Sequence, residues 1–175
     1  MHNKSFTVAG VASVLGGRNI GDEYFSTGPN PLFADLDVLV LGGVTQAISE
    51  DFNRYWNSPS AYDAKLILAA KNNKASFNQK IASYNTSQQL AAYQQLLAQS
   101  EFINQLNNQS LSLEWTQAVL ISDNPAKSKG KLAAENLFGQ LLEDALGEIT
   151  SQFDGVSPYF VPGNLGVANF AKLQQ

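Results

Sequence analysis

His2 and Lys4 stand two residues apart, His2-Asn3-Lys4, at the start of a run rich in β-forming residues. On a strand, side chains at i and i+2 leave the same face, so the pair would project together. An imidazole can attack phosphorus or carry a proton near neutral pH. An ammonium beside it can hold a phosphate oxygen electrostatically. Gly16-Gly17 lack side chains and would let backbone or substrate come close, and the Asn19 amide can donate to a phosphate oxygen. The chemistry these five residues suit is attack on phosphorus with a phosphate oxygen held beside it. The His-x-Lys pattern is short and recurs by chance, so its weight depends on what surrounds it.

The elements that must position these residues follow from periodicity. Ser5 to Val8 and Val11 to Leu15 read as strands joined by a tight Ala9-Gly10 turn, the second ended by Gly16-Gly17. Gly28-Pro29-Asn30-Pro31 reads as a loop. Leu36 to Leu41 is a nearly continuous apolar run, the pattern of a strand covered on both faces. Gly42-Gly43 then opens a helix. Val44, Ile48, Phe52 and Tyr55 recur on one side of it and Glu50, Asp51 and Arg54 on the other, and Asn57-Ser58-Pro59 stops it.

Residues 62–80 read as helix or irregular chain. Thr86 with Gln89 fits a capping box for an amphipathic helix whose stripe runs Leu90, Tyr93, Leu97, Ile103, Leu106. Trp115 to Ile121 alternates as a strand, ended by Asp123-Asn124-Pro125. A last clear helix spans about Leu132 to Ile149, and residues 157–163 read as a loop. Alternating strands and helices predict an α/β layered fold.

Composition narrows the function classes. The 175 residues are 44% hydrophobic and 15% charged, with a net charge of −4. Residues 81–126 hold Glu101, Glu114 and Asp123 and no basic residue, so no cationic stripe exists to track a nucleic-acid backbone. Without cysteine there are no disulfides or thiolate metal sites. No apolar run is long enough to span a bilayer, and residues 1–5 lack the apolar core of a secretory signal. A cytoplasmic chain is the expectation, with peripheral contact at the inner membrane left open.

The block His2-Asn3-Lys4-Ser5-Phe6-Thr7-Val8, then Gly16-Gly17-Arg18-Asn19-Ile20-Gly21-Asp22-Glu23-Tyr24-Phe25, resembles the first His-x-Lys motif of the phospholipase D superfamily. The stretches 33–40 and 52–58 look like the continuation seen in bacterial cardiolipin synthases of the C type. Ile121 to Lys127 and Ser157 to Gly163 are similar to two later landmarks, and residues 60–110 carry little of the likeness. The resemblance implies a phospholipase D-like mixed β-sheet flanked by helices on both faces, incomplete relative to the family. It implies phosphatidyl transfer on phospholipid phosphodiesters through a phosphohistidine, with no metal and no cofactor. His2 would be nucleophile or acid, Lys4 a phosphate holder and Asn19 a further phosphate donor.

Two departures qualify that implication. The motif's acidic position is Ala9, and His2 is the single histidine, so the second motif of the family is not in these residues. Residues 1–155 would be the remainder of the first half and 156–175 the beginning of the second, with Met1 an internal residue serving as a start. Whether this chain turns over is therefore open. It reads as a phosphatidyltransferase or phospholipase D-like hydrolase whose partner would be a complementing second half, as a non-catalytic remnant that binds lipid or phosphate, or as a single-motif phosphodiesterase whose homodimer brings two His2 residues to a two-fold axis. Asp22-Glu23 is expected to be solvated or capping rather than a metal pair. Asp35 and Asp37 share a strand face. Lys127, Lys129 and Lys131 form a small basic cluster, expected to be a solvated loop, and Trp56 and Trp115 are expected in the core or half-buried.

Overall fold

The computed structural model describes residues 3–25, 33, 35–68, 74–130, 133, 137–157 and 161–172. They form two compact units: Met1–Asn19, Asp35–Ala61 and Ala118–Gln175 in the first, Ile20–Ala34 and Tyr62–Gln117 in the second.

The first unit is built on three antiparallel strands, β1 (Ser5–Val8), β2 (Ala12–Leu15) and β3 (Val38–Leu41), in the order β1-β2-β3. The Val11 N–H donates to the Val8 carbonyl at 2.9 Å, and Ala9 and Gly10 both take positive φ, 50° and 66°. Two positive φ values are what the twist of a tight hairpin requires. Glycine adopts that conformation without strain and alanine does not. The position the resemblance assigns to an acid is thus a left-handed one, where Asp and Asn are tolerated better than Ala.

Pairing across the sheet puts Thr7 opposite Ser13 and Ser13 opposite Val40. Helix α1 (Val44–Trp56) packs across all three strands. Thr45 and Ile48 of α1 and Ser13 of β2 are buried. Thr45 Oγ1 lies 2.6 Å from both the Gly10 and the Gly42 carbonyl oxygens, so its one proton is shared between the hairpin turn and the start of its own helix. The Ser13 hydroxyl meets Thr7 Oγ1 at 2.8 Å, which satisfies the buried polar pair.

Beyond α1, Ser60 Oγ donates to the Pro125 carbonyl at 2.8 Å and anchors the 3-10 turn Pro125–Lys129. Helix α6 (Phe138–Leu146; α2 to α5 belong to the second unit) has no side-chain cap at Leu137, but Asp123 Oδ1 accepts from the Phe138 N–H at 2.9 Å. A carboxylate from a distant segment thus satisfies an orphan donor of the helix. Helix α7 (Gly163–Lys172) ends the described chain, with Phe170 and Phe153 6.0 Å apart between ring centres.

The second unit is helical: α2 (Ala64–Ile67), α3 (Lys74–Asn85), α4 (Gln88–Gln99) and α5 (Glu101–Asn107). Phe25 meets Tyr93 of α4 edge-on at 6.4 Å, and Tyr24 packs on Phe33 at 5.2 Å.

Several expectations change in detail. The described sheet is antiparallel throughout rather than mixed. Trp115 to Ile121, expected as a strand, has no ladder partner among the described residues and forms none. Helical cover lies on the α1 side of the sheet; on the opposite face Phe6, Val8 and Val14 are exposed. For the same reason β3 is only half-buried, despite its apolar run. Ser87, not Thr86, caps α4, accepting from the Leu90 N–H at 3.2 Å, while Thr86 Oγ1 bonds back to the carbonyls of α3. The long stripe breaks at Ser100, whose hydroxyl caps α5. The last expected helix starts at Phe138 and stops at Gly147, which takes φ 57°. Leu132 lies outside the described residues. Trp56 and Trp115 are 69% and 94% exposed rather than core. No helix among the described residues is long and apolar enough to cross a membrane.

Two substitutions probe this frame. Ile48→Ala removes the buried apolar anchor of α1 and is expected to lower stability by about 3 kcal/mol. Ala9→Gly relieves the left-handed turn and is expected to raise it by about 0.5–1 kcal/mol. Equilibrium urea unfolding followed by circular dichroism reads both; unchanged midpoints would contradict the packing described.

Candidate functional site

The three-stranded sheet and α1 leave a cleft of about 530 Å³ within the first unit. Its lining includes Lys4 and Ser5, Leu15 and Gly16, Phe52, Tyr55 and Trp56 of α1, and Leu120 to Ser122. Lys4 directly precedes β1 and is half-buried. Because β1 and β2 pair in register Ser5 to Leu15, the start of one strand and the end of the other meet at the same end of the sheet. The hairpin therefore brings Lys4 and Gly16 to one cleft.

The glycines accommodate carboxylates of this chain. A Cβ on Gly16 would fall 1.9 Å from Asp37 Oδ1, and one on Gly17 would fall 2.7 Å from Asp35 Oδ2. Asp35 and Asp37, expected on one strand face, precede β3 and lie against Gly17 and Gly16 respectively. Arg18 Nε donates to Asp37 Oδ2 at 2.6 Å, so the segment after β2 is clamped to the residues leading into β3.

A second polar cluster lies on the α1 side of the cleft. Ser122 Oγ donates to Asp51 Oδ1 at 2.6 Å, and Arg54 Nη2 donates to Ser122 Oγ at 2.8 Å and to Asp51 Oδ1. The Asp51 side chain is 18% exposed, so its charge is balanced locally by Arg54 rather than by water. The cluster fixes the extended segment 118–122 against α1.

Of the residues singled out from sequence, Lys4 and Gly16 meet in the cleft. Gly17 faces Asp35. Asn19 is exposed and is not among the residues lining the cleft. His2 lies outside the described residues, so its shared face with Lys4 remains an expectation. Asp22 and Glu23 open a 3-10 turn ending at Tyr24, and no group of three or more His, Cys, Asp or Glu side chains among the described residues could hold a metal ion. Lys127 pairs with Asp123, and Lys131 lies outside the described residues. Sequence reasoning missed Asp51, Ser122 and the aromatic wall. The Asp51 to Arg54 spacing of three was a helical ion-pair signal, but nothing in the sequence linked it to Ser122.

Gly16→Ala forces Asp37 away and loosens its pair with Arg18. Since that pair is partly exposed, a loss of about 1 kcal/mol is expected. In an Asp37→Ala background the same glycine substitution should cost less. A double-mutant cycle by urea unfolding measures this, and purely additive costs would exclude the clamp.

The chain is 40% identical to "Cardiolipin synthase C" of Escherichia coli (strain K12) over 174 residues, 99% of this chain and 37% of that protein. It is 30% identical to uncharacterized proteins from two strains of Helicobacter pylori, over 166 and 169 residues, 93% of this chain and 32% of each of them. No protein-family model matches the chain, and no solved structure matches it. The chain thus spans about a third of the length of the curated relatives it matches.

Proposed function

We propose that this chain supplies one half of a phosphatidyl-transfer site of phospholipase D type and does not turn over by itself. The observation that carries the reading is the 40% identity along 99% of the chain to a cardiolipin synthase. The cleft that Lys4 and Gly16 share is consistent with it. In this reading the His2 imidazole attacks the phosphorus of a phospholipid. The bond from phosphorus to the headgroup oxygen breaks, and the leaving alcohol takes a proton from a second acid. A hydroxyl of another phospholipid, giving its proton to the conjugate base of that acid, then attacks the phosphohistidine, and the bond from phosphorus to the His2 nitrogen breaks. Lys4 holds a non-bridging oxygen throughout, and Asn19 adds a donor to the same phosphate.

The double displacement needs a nucleophile and an acid, each positioned. These 175 residues hold one histidine, and Ala9 stands at the motif's acidic position. Residues 1–155 would belong to the first half of the site and 156–175 to the beginning of the second. The complementing acid comes from another polypeptide segment, and the protein meets its substrate at the membrane surface.

The test incubates the purified chain with phosphatidylglycerol vesicles and with a chromogenic phosphodiester, beside His2→Ala, with mass read by light scattering. A folded monomer with no cardiolipin formed and no activity above the His2→Ala control is the expected result. His2-dependent turnover by a dimer would replace this reading with a shared two-histidine site. Turnover untouched by His2→Ala would remove His2 from the mechanism altogether.

A further inference from the structure

The α1 side of the cleft that Lys4 lines is aromatic and open. Phe52 and Trp56 are one helical turn apart on α1, with ring centres 5.8 Å apart and planes 23° apart. They are 53% and 69% exposed. The stripe that begins with buried Ile48 thus runs out of the core into the cleft, with half-buried Tyr55 beside it. Scattered exposed apolar residues need no explanation, but a stacked aromatic pair inside a concave site does.

The cleft is consequently amphipathic. Lys4 is the cation among its lining residues, and Asp51, the acid among them, is held by Arg54 and Ser122. On the phosphatidyl-transfer reading the ligand brings a phosphate to Lys4, and the aromatic pair of the same cleft suits its flexible apolar tail. The volume falls within the range of about 300–1,000 Å³ usual for small-molecule sites. It suits a phosphodiester with the first part of an acyl chain and leaves the rest of a lipid in its bilayer. A nucleic-acid base would also stack on the pair, but its backbone needs a track of cations that this wall lacks.

We infer that Phe52 and Trp56 form an acyl-chain subsite, which holds the apolar tail of a phospholipid whose phosphate lies at Lys4. The inference rests on the phosphatidyl-transfer reading for its ligand class and extends it by naming the residues that distinguish a lipid from its deacylated headgroup. Apolar contact with the pair favours the acylated ligand, and the phosphate contact at Lys4 is common to both ligands.

Isothermal titration of the full 175-residue chain tests it, with dihexanoylphosphatidylglycerol below its micellar concentration and with glycerophosphoglycerol. The acylated ligand is expected to bind about tenfold tighter or more. The Phe52→Ala/Trp56→Ala double variant is expected to lose most of that advantage while shifting glycerophosphoglycerol by less than about twofold. Lys4→Gln should weaken both ligands alike, and Trp56→Phe should keep most of the preference. Trp56→Gln, a single change at an exposed position, gives the same readout should the double variant lose its circular dichroism signal. Equal affinity for the two ligands, no binding of either, or a preference that survives removal of both rings would overturn the subsite. A chain that prefers the acylated ligand but never supports His2-dependent transfer, even with a complementing half, would count against the transfer reading and leave the subsite standing. Transfer without acyl preference would do the reverse.

Discussion

The seat of α1 on the sheet is the constraint on which the rest of the first unit depends. Ile48 supplies the apolar contact, and Thr45 shares its proton between the hairpin turn and the residue before the helix. With both residues buried, rotation of α1 about its axis would expose Ile48 and strand two carbonyls, and either change is unfavourable. The rotation and depth of α1 then decide what its next turns face. Asp51 reaches Ser122, and Phe52, Tyr55 and Trp56 line the cleft that Lys4 also lines.

Electrostatics around the cleft is arranged in local pairs. Asp37 is matched by Arg18, Asp51 by Arg54 and Asp123 by Lys127. Each pair joins a carboxylate to a cation within the first unit. Such partly exposed pairs contribute little stability. Their effect is positional: Arg18 with Asp37 ties the chain after β2 to the residues before β3, and Asp123 pairs with Lys127 of the 3-10 turn and accepts from the Phe138 N–H of α6. The glycines read as openings for substrate are in the first instance openings for Asp35 and Asp37.

The second unit contains most of the stretch 60–110 that carries little of the family resemblance, together with Ile20–Ala34. It is helical and holds its own aromatic contacts at Tyr24, Phe25, Phe33 and Tyr93. The motif residues lie in the first unit.

Local pattern determined the elements. The Ala9-Gly10 hairpin, the apolar run of β3 and the four-residue recurrence from Val44 through Ile48 and Phe52 were legible because turn preference and side-chain period act within a few residues. The motif spacing was legible for the same reason, and it pointed to Lys4 and Gly16. Caps were displaced by a residue, since Thr86 and Ser87 both offer a hydroxyl and only the backbone path decides which one is used. Whether Trp115 to Ile121 pairs, which face of the sheet is covered, and whether Trp56 is buried depended on neighbours distant in sequence. So did the meeting of Asp51 with Ser122, 71 residues away. A side chain's period states which residues share a face, but only the packed tertiary structure decides what that face meets.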